Sequence, residues 1–177
     1  MIRLFVALEI PGIVRERLSP LQAGVPGARW MSPEQFHLTL RFVGEVDEVV
    51  AQDIDDSLRA LRAPAFSLEL AGVGEFGGKL PRALWAGTRP NPELLHLQKK
   101  VETALHRIGV VAAERKFIPH VTLARLHHSP GDKVVEFLAH NSLFASGNFD
   151  VTQFALFSSR LGGAGAVYSV ERIYSLN

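Results

Sequence analysis

The chain predicts an α+β fold built as two related lobes, and three observations predict it. A short pattern occurs twice, His37-Leu38-Thr39-Leu40 and His120-Val121-Thr122-Leu123, nearly half a chain apart. Strand-like and helix-like periodicities alternate, and they recur in one order on both sides of residue 80: strand, helix, motif strand, helix, strand. No linker-like composition separates the halves, so 1–80 and 81–177 are read as lobes of one bilobal unit with a pseudo-twofold relation.

The first apolar run, Leu4 to Leu8, reads as a buried strand, and Ile13 to Gln22 as a short helix that Pro20 limits. The first motif strand spans Phe36 to Val43 and closes at Gly44. Asp47 caps a helix to about Arg62, its apolar stripe carried by Val50, Ile54, Leu58 and Leu61. Alternation at Phe66, Leu68 and Leu70 gives the next strand, and Gly72 to Gly78 reads as a flexible connection. That stretch lacks the Lys-Ser/Thr ending of a nucleotide-binding loop and does not lead directly into a helix.

The second half opens on a strand at Ala83 to Ala86, then a helix announced by Asn91-Pro92-Glu93 and ended by Gly109. Leu94, Leu97, Val101, Leu105 and Ile108 share one face of it. The second motif strand runs from Pro119 to Arg125, and Ser129-Pro130 reads as a cap leading a further helix. Strands over Phe149 to Ser158 and Ala166 to Tyr174, joined by a turn at Gly162-Gly163-Ala164-Gly165, complete the chain.

Composition narrows the function. The 177 residues are 47% apolar, with 19 basic against 18 acidic side chains, which argues against a protein that coats long duplexes. There is no cysteine, so disulfides and thiolate metal sites are excluded. No run approaches the roughly 18 apolar residues of a membrane helix. The apolar start is interrupted by Arg3 and Glu9 and offers no cleavage site, so a cytoplasmic location without membrane association is expected.

The doubled motif carries the chemistry. Successive strand residues point to opposite faces, so each His-x-Thr presents an imidazole and a hydroxyl to one side while Leu38 or Val121 faces the core. Two such strands brought together set His37 and His120 across a shared cleft. One neutral imidazole can then act as base and one imidazolium as acid, the division that displacement at phosphorus needs. Thr39 and Thr122 can donate hydrogen bonds to the phosphoryl oxygens. Two histidines on separate strands with no evident third ligand do not make a zinc site, so no metal is expected.

A cation should meet the phosphate charge, and Arg41 and Arg125 are the candidates. Strict alternation puts Arg41 on the face of His37 and Thr39. Arg125 falls on the opposite parity from His120 and Thr122, and reaches the site only if its strand ends, bulges or twists beyond Thr122.

With these residues in view, the chain resembles the 2H phosphoesterases, and among them the bacterial and archaeal RNA 2′,3′-cyclic phosphodiesterases once called 2′-5′ RNA ligases. The matching segments begin with Arg3-Leu4-Phe5-Val6-Ala7-Leu8 and Phe36-His37-Leu38-Thr39-Leu40-Arg41-Phe42-Val43-Gly44, where relatives often carry Leu in place of Val43. They continue through Leu84-Trp85-Ala86-Gly87 and Phe117-Ile118-Pro119-His120-Val121-Thr122-Leu123-Ala124-Arg125, and end with Ser159-Arg160-Leu161 and Gly165-Ala166-Val167-Tyr168.

The resemblance implies antiparallel sheets lining a central cleft with helices outside, and cofactor-free, metal-independent hydrolysis of a terminal 2′,3′-cyclic phosphate to a 2′-phosphate. It makes His37 the proton donor to the leaving 3′ oxygen and His120 the base that activates water. It gives Thr39 and Thr122 the phosphoryl oxygens and Arg125 the added phosphate contact, against the alternation that favours Arg41; both arginines stand as candidates.

The expected partner is RNA with a cyclic phosphate end or a small cyclic nucleotide, handled by a monomer with no obligate protein partner. Reversible 2′-5′ RNA joining is expected only as a minor companion activity, and a module that clasps RNA ends without chemistry is the alternative. His96, His106 and His140 read as solvated helix positions, and His127-His128 as a polar loop near the cleft mouth. Trp30, Trp85, Phe36 and Phe117 read as core, and Arg115-Lys116 as a basic turn beside the second motif, within reach of RNA.

Overall fold

The computed structural model describes residues Met1–Asn177. Its strands are β1 (Ile2–Glu9), β2 (Ala28–Trp30), β3 (His37–Val46), β4 (Phe66–Phe76), β5 (Ala83–Thr88), β6 (His120–Leu126), β7 (Ala145–Val151), β8 (Gln153–Gly162) and β9 (Gly165–Ser175). Its helices are α1 (Gly12–Leu18), α2 (Glu48–Ala60), α3 (Pro92–Arg107) and α4 (Gly131–His140). Every strand pairing is antiparallel, in the order β7-β4-β5-β6-β3-β1-β8-β9, with β2 added beside β6. The sheet is open, and the two motif strands lie at its centre.

Along that order four strands stand on either side of the junction between β3 and β6, β2 apart, and each set of four is called a lobe below. β4 belongs with β5 and β7 rather than with the N-terminal strands, and β8 and β9 return to β1. The lobes are therefore interleaved in sequence and do not divide at residue 80. The single strand expected over Phe149 to Ser158 is two, broken at Thr152, where the chain passes from the lobe of β4 to the lobe of β1. Neither glycine nor proline marks that break.

β1 shows why the run Leu4 to Leu8 is apolar throughout. Leu4, Val6 and Leu8 enter the main core, whereas Phe5 and Ala7 face a second cluster with Ala155 and Phe157. Both faces of the strand are buried. The main core is continuous between lobes, and Leu38 and Val121, the residues between each motif His and Thr, are fully buried in it. Truncating Leu38 to alanine costs about 2–5 kcal/mol if the cavity does not collapse.

The helix signals hold at α2 and α3. The Asp47 side chain accepts the Val50 amide at 2.8 Å, and Asn91 accepts that of Leu94 at 2.9 Å. Each cap contributes about 1 kcal/mol. Gly109 follows α3 with φ of 90°, a conformation open to glycine. The cap expected at Ser129 does not form: Pro130 occupies that position, and the Ser129 hydroxyl is buried without a hydrogen-bond partner.

Candidate active site

β3 and β6 meet through one residue pair, Leu38 opposite Val121. In an antiparallel register this sets His37 beside Thr122 and Thr39 beside His120, all on the face that Leu38 and Val121 leave. The two imidazoles are diagonal neighbours, a relation that typically spans about 7–8 Å between backbones and lets both rings reach one phosphoryl group.

Each ring is held in the same way. Nδ1 of His37 lies 2.7 Å from the carbonyl oxygen of Gln35, and Nδ1 of His120 lies 2.6 Å from that of Ile118. Because a carbonyl can only accept, Nδ1 carries the proton in both rings and Nε2 is left for the site. Gln35 is itself anchored, since its side chain donates to the carbonyl of Ala166 at 2.9 Å and accepts from the amide of Ser32 at 3.1 Å. The His37 ring is thus tied to the hairpin between β8 and β9.

Aromatic rings wall both histidines. His37 has the ring of Phe5 at 4.8 Å and the edge of Tyr168 at 5.1 Å. His120 has Phe76 at 4.9 Å and Trp85 at 5.8 Å. Burial pushes the His37 imidazole below its ordinary pKa, against the raising effect of the Gln35 carbonyl, and the positive fields of His120 and Arg125 push it further down. Burial also lowers His120, opposed by the Ile118 carbonyl. Both rings favour the neutral form.

The backbone presents the two arginines differently. Along β3, Ala7 of β1 pairs with Thr39 and Val6 with Arg41, so Leu40 is an extra residue. Along β6, Trp85 of β5 pairs with Thr122 and Leu84 with Ala124, so Leu123 is extra. A bulge follows each Thr, and each inverts the alternation beyond it. Arg125 therefore returns to the face of His120 and Thr122, exposed in the cleft and close enough to act on His37.

The bulge after Thr39 likewise takes Arg41 off the parity expected of it, although Arg41 still borders the cleft. Arg41 is turned inward to 9% exposure, where its Nε donates to Glu102 of α3 at 2.6 Å. Its remaining nitrogens donate to the carbonyls of Phe42 and Val111. Glu102 also accepts the amide of Ala113, so this pair fastens the segment that leads to Arg115 and Lys116.

A cleft of ≈ 720 Å³ opens beside this face, bounded by Thr39, Arg41, Phe42, Phe76, His120 and Arg125, while His37 and Thr122 are not among its lining residues. Arg82, Arg115 and Lys116 also line it, and none of its lining residues is acidic. An anion is the complementary guest. The sequence reading missed Arg82, Phe42, Phe76 and Gln35, and placed Trp85 in the core. Only partner strands or their loops bring Arg82, Phe76 and Trp85 to the motifs, whereas Gln35 and Phe42 flank the first motif in sequence and gain their places from the turn before β3 and the bulge within it. His96, His106, His127, His128 and His140 are exposed and outside the cleft lining, as read from the sequence.

The family model described as LigT like Phosphoesterase matches residues 8–85 and 88–168, each block holding one motif. An RNA 2′,3′-cyclic phosphodiesterase of Thermotoga maritima is 33% identical over 177 residues, covering 95% of this chain and 92% of that protein. One from Aeropyrum pernix is 35% identical over 159 residues, covering 88% and 90%. The crystal structure of Escherichia coli LigT in apo form superposes with a TM-score of 0.82 at 26% identity, covering 99% of this chain and 98% of that one. Its complex with 3′-AMP gives 0.81 at 27% identity, with the same coverage. The chain belongs to the LigT-like phosphoesterase family.

Proposed function

We propose that this protein hydrolyses the 2′,3′-cyclic phosphate at an RNA end to a 2′-phosphomonoester, with His120 as base and His37 as acid. The observation that carries the reading is the matched pair of imidazoles, each with Nδ1–H given to a carbonyl two residues back and both on one face of β3 and β6, beside an anion-compatible cleft that His120 lines. Relatives of similar length bear the name of this activity, and a structural neighbour binds 3′-AMP. Nε2 of His120 takes a proton from water as the oxygen attacks phosphorus. The bond from phosphorus to the 3′ oxygen breaks, and that oxygen takes the proton from Nε2 of His37. Thr39, Thr122 and Arg125 bear the charge on the non-bridging oxygens.

Because both rings are driven toward neutrality in the free protein, the acid form of His37 depends on the substrate. The phosphodiester anion offsets the fields of His120 and Arg125, and so favours the imidazolium beside it.

The test is product analysis on a defined RNA bearing a cyclic end, in excess chelator, for the wild type and for His120→Ala. Metal-free conversion to a 2′-phosphate is expected, with turnover lowered by about a hundredfold to ten-thousandfold in the variant. A metal requirement or a 3′-phosphate product overturns the mechanism. Binding of the RNA end without turnover in the wild type assigns the protein to phosphate recognition alone.

A further inference from the structure

The two motif histidines are held alike by a carbonyl two residues back, yet what holds that carbonyl differs between the lobes. Before His120 the residue is exposed Ile118, whose side chain has no donor or acceptor. Before His37 it is half-buried Gln35, and both ends of its side-chain amide are bonded.

Gln35 closes a 3-10 turn over Pro33–Gln35. Its Oε1 accepts the amide and the hydroxyl of Ser32, each at 3.1 Å, and its own backbone amide donates to the Ser32 carbonyl at 2.9 Å. At the other end its Nε2 donates to the carbonyl of Ala166, the second residue of β9, at 2.9 Å. Ordering a long glutamine side chain costs rotamer entropy, which bonds at both ends of the amide offset. Phe36 is fully buried, so the peptide between 35 and 36 is the piece whose tilt this clamp decides. The same hairpin sets the ring edge of Tyr168 5.1 Å from His37, so β9 meets this imidazole twice, through a ring and through Gln35.

We propose that Gln35 is the positioning residue of the acid: its side chain clamps the turn to the hairpin of β8 and β9, and so fixes the carbonyl that holds Nδ1–H of His37 and aims Nε2 at the 3′ oxygen. The inference rests on the function proposed above and adds a physical difference between two nearly identical motifs. A base that takes a proton from mobile water tolerates some swing of its ring, whereas an acid must meet one oxygen of a substrate already held by its phosphate. The imidazolium of His37 is also opposed by burial, His120 and Arg125, and the Gln35 carbonyl is the group that favours it. Gln35 itself touches no reacting atom and supplies no proton.

The experiment compares wild type with Gln35→Met, which keeps the length without donor or acceptor, and with Gln35→Ala, on RNA bearing a 2′,3′-cyclic phosphate and at a temperature where all three are folded. In both variants kcat is expected to fall about tenfold, with KM changed by less than about twofold. The basic limb of the profile of kcat against pH, set by the acid, should move to lower pH, and the acidic limb, set by His120, should move less. The other charged or titratable groups facing His37 are His120 and Arg125 of β6, Tyr168 of β9 and Glu9, its register partner on β1, and neither variant changes them. An unchanged kcat, or a fall in kcat without that movement of the basic limb, overturns the assignment.

If wild type opens no cyclic phosphate, the proposed reaction fails, and NMR titration of the imidazoles in the free protein still decides the positioning. His37 must then titrate at lower pH in Gln35→Met than in wild type, with His120 displaced less, and any other pattern refutes it.

Discussion

At the scale of single residues, the two arginines near the motifs do different work, and substitution should separate them. Arg125 is exposed in the cleft and Arg41 is buried against Glu102. On the proposed mechanism Arg125→Ala removes a charge contact to the phosphate, so kcat/KM should fall by about a hundredfold while the melting temperature stays near that of the wild type. Arg41→Met leaves the Glu102 carboxylate without its cation and two carbonyls without a donor. Stability should fall by about 3 kcal/mol, read from denaturant unfolding, and the melt should drop with it. Equal loss of activity by both variants at equal stability would show that Arg41 reaches the phosphate after all. The sequence made both residues visible and could not rank them, because parity beyond a motif depends on a bulge whose extra residue, Leu40 or Leu123, is an ordinary strand residue. The histidines and threonines precede the bulges, so for them alternation sufficed.

At the scale of elements, β4 is where local composition misled. Glycine at 72, 74, 77 and 78 reads as a loop, yet the strand continues through the first two to Phe76. Gly74 stands opposite Trp85 of β5, and a Cβ there would lie 2.2 Å from the indole. The glycine is therefore a seat for a ring that crosses the strand, and only the partner strand reveals it. The true turn starts at Gly77, where φ is 116°. Since Trp85 and Phe76 wall His120, the seat matters to the site. Gly74→Ala should cost about 1–3 kcal/mol through overpacking. It should also lower kcat/KM by more than the unfolded fraction explains, as Trp85 shifts against His120. Unfolding curves measured beside kinetics at a temperature where the variant is fully folded decide this; unchanged kinetics would confine Gly74 to stability. Helices α2 and α3 were legible to within a residue or two because their caps and apolar stripes are local signals, whereas strand partnership is not.

At the scale of the whole molecule, two interleaved lobes share one core beneath the motif strands and hold two histidines on the other face, and the fold thereby acquires a pH dependence. In the unfolded chain each histidine titrates near 6.5; in the fold, burial holds both below that value. The unfolded state therefore binds more protons as pH falls below 6.5, so this contribution to stability is complete above 6.5 and is lost as pH falls through the folded values. A phosphodiester analogue between the rings should weaken this dependence, because its charge favours the imidazolium that burial and Arg125 oppose. Unfolding free energy measured from pH 8 to pH 5 should decline below about 6.5 in the free protein. With a non-hydrolysable cyclic phosphate analogue bound, it should decline less, and calorimetry in buffers of different ionisation enthalpy should report proton uptake on binding. Replacing both histidines with glutamine should flatten the decline and abolish the uptake. If the decline persists unchanged in that double variant, other groups carry it; if binding releases protons, the anion does not create the acid, and His37 must be protonated by another route.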